Sequence, residues 1–147
     1  MKLPFEIFTE AEEHLEKFLQ WQIDYKPTNN FLDYARDVCS IEDTFKYAAL
    51  LYPKFIKIEG VIVLEDHYSE DNWKQWRKKC SPKETANVVN HLHIGDFLYR
   101  DHSASEELED HLGHLLAFFW KMAVDKQFPD NNVIVEFSGD VIGLYEK

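Results

Sequence analysis

Between Ser81 and Tyr99 the chain reads SPKETANVVNHLHIGDFLY, the stretch that most constrains the fold. Ser81 can cap a helix, Pro82 suits its first position, and Glu84 completes a Ser-x-x-Glu capping box. At roughly 100° per residue, Val88, Val89, Leu92 and Tyr99 share one face, with Thr85 and Asp96 in the same sector. Ile94, Phe97 and Leu98 fall on the other side. The pattern predicts one helix over the whole stretch, apolar on two faces, and such a helix is either central to a small fold or partly covered by a partner.

The segments around it alternate between helical and strand periods. Thr9 and Glu12 form a second capping box, predicting a helix to about Tyr25 with Ala11, Leu15, Phe18 and Leu19 on one face. Asn30 caps a short helix through Val38, and Ser40 restarts the chain. From there Ile41, Phe45, Ala48, Ala49 and Tyr52 keep helical spacing until Pro53 stops it. Residues 55–65, FIKIEGVIVLE, read as one strand with Ile56, Ile58, Ile62 and Leu64 on one face, Lys57 and Glu59 opposite, and Gly60 at a bulge or bend. Ser69 caps another short helix, acidic at its start (Glu70, Asp71) and basic at its end (Arg77, Lys78, Lys79), as the helix dipole favours.

A long helix is expected from about Ser105 to Gln127, with Leu108, Leu112, Leu115, Leu116, Phe119 and Ala123 as its apolar stripe. The chain then forms a hairpin over 133–145, turning at Gly139-Asp140. Pairing Ser138 with Val141 puts Val135 and Phe137 on the same face as Ile142 and Leu144. The expected fold is therefore α+β: a small, mainly antiparallel sheet of the 55–65 strand and the 133–145 hairpin, packed with about five helices. With 147 residues and neither repeat nor linker, residues 1–147 read as a single domain large enough for a core without metal or disulfide staples.

Charge narrows the function classes. Twenty-seven acidic against 16 basic residues give a net charge of −11, which repels nucleic acid and anionic membrane and favours a basic protein partner. The N-terminus lacks a signal-peptide core, no apolar run reaches membrane-span length, and no N-x-[ST] signal occurs, so a cytoplasmic setting is expected. Cys39 and Cys80 form no C-x-x-C pair and read as buried thiols. No phosphate-cradling loop, dinucleotide fingerprint or nucleophile elbow is present, and no cofactor is expected.

Seven histidines raise the question of a metal. His91-x-His93 would suit one on a strand, where both side chains share a face, but on a helix they diverge by roughly 200°. His111 and His114 lie on one helical face near Glu107 and Asp110, and read as a solvated surface. No metal site is expected. Trp73 and Trp76 beside Arg77, Lys78, Lys79 and Lys83 could stack on bases, but core tryptophans and a basic helix end explain them better.

Three functional readings remain. The first is an acidic protein-binding or inhibitory module whose partner-binding residues are Glu65, Asp66, Glu70, Asp71, Glu106, Glu107, Glu109 and Asp110. Bacterial toxin-immunity proteins, which neutralise a basic and often nuclease-like toxin, share this character, though no motif matches residue by residue. The second is a small carboxylate-dependent enzyme using Asp96, buried and tuned by His93, with Glu59 or Glu136 as neighbours across a sheet. The third is a structural subunit of a larger assembly, with another copy partly covering the two-faced helix.

Overall fold

The computed structural model describes residues 1–97 and 105–147; Leu98 and Tyr99, assigned above to the two faces of the 81–99 helix, lie outside them. The N-terminal helix starts earlier than its sequence signal. Pro4 takes the first position of α1 (Pro4–Ala11), and Glu6 accepts from the Leu3 N–H at 2.7 Å. Thr9 is therefore not a cap; its hydroxyl donates to the Phe5 carbonyl inside the helix. A 3₁₀ turn at Glu12–His14 then separates α1 from α2 (Glu16–Asp24), so the expected single helix is two.

Helices α3 (Phe31–Val38) and α4 (Ile41–Leu51) have the expected Asn30 and Ser40 caps. Their packing is not as expected, because neither helix buries a single residue. Cys39 between them is exposed and Cys80 partly so, which corrects the reading of two buried thiols.

The 55–65 segment is a hairpin, not one strand. β1 (Phe55–Ile58) and β2 (Val61–Leu64) pair antiparallel through a two-residue turn in which Glu59 and Gly60 both have positive φ, 49° and 88°. Ile58 faces Val61 and Lys57 faces Ile62, so the alternation expected for a continuous strand changes face at the turn. Ile56 and Ile58 join Val61, Val63, Trp73, Ala86 and Val89 in one apolar cluster, while Phe55, Ile62 and Leu64 enter the main core. Both faces of the hairpin are thus covered, and all four residues of β2 are buried.

Helices α5 (Glu70–Arg77) and α6 (Pro82–Val89) lie over the first of those faces, α6 starting at the Ser81–Glu84 capping box. The predicted helix stops at Asn90. Its side chain, 1% exposed, accepts from the Leu64 N–H at 2.9 Å and donates to the carbonyls of Ile62 and Leu144 at 2.9 and 3.3 Å. Ile62 N–H donates in turn to Glu146 at 3.2 Å. Side chains thus satisfy the outer edge of β2 where another strand would otherwise be needed.

After Asn90 the chain becomes extended as β3 (Leu92–His93), followed by one turn of helix, α7 (Ile94–Phe97). The long α8 (Glu106–Gln127) begins at Ser105 as expected and leads to β4 (Val133–Ser138) and β5 (Val141–Glu146). Ser138 pairs with Val141, Phe137 with Ile142 and Val135 with Leu144, as the hairpin pattern requires. The strands form two separate antiparallel sheets, β1-β2 and β3-β5-β4, and eight α-helices occur among the described residues. The fold is α+β, although the sheet expected to be single is divided.

The buried side of α8 is rotated from its expected stripe. Leu116 and Ala123 are buried as read and Leu112 packs partly buried against the core, but Gly113, Ala117, Trp120 and Val124 are buried where Leu108, Leu115 and Phe119 were expected. Trp120 is 2% exposed and donates its indole N–H to the Leu50 carbonyl at 2.9 Å, tying α4 to the core. At Gly113 an added Cβ would stand 2.4 Å from the Phe137 ring, so glycine is what lets β4 approach α8 there. No helix among the described residues is long and apolar enough to cross a membrane.

Candidate functional site

The end of α6 at Asn90 changes the side-chain geometry of the residues after it. Leu92 pairs with Ile142 and is buried, so on the pleated segment His91 and His93 project to the opposite side. Their Nε2 atoms stand 3.0 Å apart, with ring centroids separated by 4.7 Å. The divergence expected of a helix is therefore corrected: the two histidines converge.

Asp140, in the β4–β5 turn, holds this pair from the far side. His93 Nδ1 lies 2.9 Å from Asp140 Oδ2, and the Ile94 N–H donates to the Asp140 carbonyl at 2.8 Å. The hydrogen bond from His93 keeps the Asp140 carboxyl below its ordinary value. An ionised carboxylate can only accept, so His93 Nδ1 carries the proton that it donates to Asp140, and His93 Nε2 faces His91. Asp140 lies far from His93 in sequence, and only the 133–145 turn, correctly read but not connected to His93, could have signalled it.

Asp96 is exposed, not buried, because the one-turn α7 and the extended β3 displace it from the apolar sector it would occupy on a continuous helix. It lines a cavity of about 430 Å³ with Asp66, His67 and His91, while the carboxylate bonded to His93 is that of Asp140. His67 Nδ1 is 3.0 Å from the Val89 carbonyl, which fixes its proton on that nitrogen. Glu59 and Glu136 are not neighbours across a sheet. Glu59 sits in the β1–β2 turn bound to Trp73 and Arg77, and Glu136 pairs with Gly143 in the other sheet.

The acidic residues divide into groups with different surroundings. Glu65 forms an ion pair with Lys54 at 2.6 Å, and with Asp66 it lines a cavity of about 520 Å³ beside Trp120. Glu70 is bound by Lys74 within α5, and Asp71 is exposed. Glu106, Glu107, Glu109 and Asp110 are brought together around a cavity of about 600 Å³, to which the structure adds Asp140, His111 and Phe137. Hydrogen bonding to backbone and to Ser105 holds the Glu107 carboxyl low. Five carboxylates facing one opening create a strongly negative mouth.

His111 and His114 do not act together. His111 lies 3.8 Å from Glu10 on α1, and His114 lies 3.7 Å from Asp110 within α8. No three His, Cys, Asp or Glu side chains among the described residues converge as a metal cluster. Trp73 is a core residue as expected; Trp76 is 39% exposed.

Apolar residues left exposed on α3 and α4 provide the other candidate surface. Ile41 and Phe45 on α4 are 81% and 74% exposed, and Leu32 and Val38 on α3 are 56% and 48% exposed. Asp33 and Asp43 stand at the capping turns of the same two helices, and Asp43 is held low by hydrogen bonds to Ser40. Helical periodicity marks such a stripe as apolar, but it carries no record of whether another part of the same chain covers it. No protein-family model, curated protein or solved structure matches this chain.

Proposed function

We propose that this chain is an acidic protein-binding module of the inhibitory, immunity-like kind, acting in the cytosol on a basic partner such as a nuclease-like toxin. The observation that carries this reading is the set of exposed apolar side chains on α3 and α4, two capped helices that bury none of their own residues. Water-facing Ile41, Phe45, Leu32 and Val38 are the side chains a partner surface would bury, and large uncovered apolar patches mark interaction sites.

Charge then selects the partner. A net charge of −11 steers a basic protein toward the surface, and the mouth formed by Glu106, Glu107, Glu109, Asp110 and Asp140 is suited to lysine or arginine side chains. Of the acidic residues assigned to binding, those four on α8 support this role best, since Glu65 and Glu70 already hold Lys54 and Lys74. The enzyme reading is the weaker one: its acid, Asp96, is exposed and His93 is bonded to Asp140 instead.

The test is capture from the native host at low salt by the wild-type chain and by an Ile41→Ser/Phe45→Ser variant. The expected result is a basic protein held by the wild type and lost by the variant, with an on-rate that falls steeply as salt rises. A partner that is acidic, or whose on-rate ignores salt, would refute the electrostatic part of the reading.

A further inference from the structure

We propose that His91 and His93 form a two-histidine site for a divalent transition-metal ion of the copper or nickel class, with Asp140 as the positioning residue. Three independent features of the pair point to a ligand. Their Nε2 atoms are 3.0 Å apart, close enough to share an ion. His93 is oriented by a carboxylate on its other nitrogen, the arrangement that fixes ring and tautomer in metal-binding histidines. The backbone at His93 is held by β3–β5 pairing and by the Ile94 to Asp140 hydrogen bond, and His91 immediately precedes that strand.

Geometry selects the metal class. Nitrogens at that separation, each about 2.0–2.1 Å from an ion, subtend about 95° at it. That is the angle of neighbouring ligands in square-planar or octahedral coordination and is narrower than the tetrahedral angle zinc prefers. Two protein ligands leave the other positions for water or for a donor from a bound partner. Asp140 also lines the acidic mouth beside α8, whose field raises the local concentration of cations. Without metal the same contact is a hydrogen bond between the two Nε2 atoms.

The test titrates the tag-free full chain with Cu(II) and with Ni(II). One equivalent of Cu(II) should bind with an electron paramagnetic resonance spectrum showing two imidazole nitrogens. His91→Gln and His93→Gln should each weaken binding about tenfold or more, and Asp140→Asn by about tenfold. His114→Gln should leave it unchanged. Because a variant could fail for reasons of folding, the first additions of Ni(II) to the wild type are followed by NMR, where the His91 and His93 ring signals should broaden before those of other histidines. Equal binding by all variants, broadening that starts elsewhere, or the absence of saturable binding would each leave only a hydrogen-bonded histidine pair and overturn the proposal.

Discussion

The side-chain amide of Asn90 donates to the carbonyl of Ile62 at 2.9 Å, and the same side chain also holds Leu64 and Leu144. One buried residue thus joins the edge of β2 to β5 and ends α6. Replacing it leaves an N–H and two carbonyls buried without their partner, each costing about 1–3 kcal/mol. Asn90→Leu should lower unfolding stability by about 3 kcal/mol or more in urea titrations with an unchanged slope. A loss below about 1 kcal/mol would mean that Asn90 does not hold the two sheets together.

Thr85 makes the opposite prediction. It is fully buried on α6, and its hydroxyl has no hydrogen-bond partner among the described residues. Valine has nearly the same shape without the hydroxyl, so Thr85→Val should stabilise the fold by about 1 kcal/mol while Thr85→Ser should not. Thermal unfolding of the two variants separates these outcomes.

Glu59 links the β1–β2 turn to α5, accepting from Arg77 Nε at 2.7 Å and from Trp73 Nε1 at 3.0 Å. These bonds, that from Arg77 foremost, lower its carboxyl below the ordinary value. A depressed folded value means the contribution is fully present above the unfolded value and is lost as pH falls through the folded one. Between about pH 6 and about pH 3 the wild type should therefore lose more stability than Glu59→Gln, measured by urea unfolding at each pH. Parallel losses in the two proteins would remove Glu59 from the acid response.

These contacts also show where the sequence was readable. The caps at Asn30, Ser40, Ser69 and Ser81 mark four helix starts, because a cap is a local interaction between residues three apart. The end of α6 was not legible, since Asn90 stops the helix through partners at Ile62, Leu64 and Leu144 that are distant in the chain. The 133–145 hairpin is legible in register from Gly139-Asp140, whereas Gly60 reads as a bulge or bend within one strand because β-branched residues continue on both sides of it. The site followed the same rule. The acidic cluster of α8 is contiguous and was found, but Asp140 reaches it, and reaches His93, only through the fold.

The central claim is that α3 and α4 are kept apolar for a basic partner, and backbone hydrogen exchange of the chain, alone and in complex with the protein captured at low salt, tests it most directly. Alone, residues 31–51 should exchange faster than the buried central part of α8, because neither α3 nor α4 contains a buried residue. In the complex, the account predicts marked slowing across 31–51 and at the start of α8 around Glu106–Asp110. Exchange in 31–51 that is unchanged on binding, with protection appearing elsewhere, would contradict it.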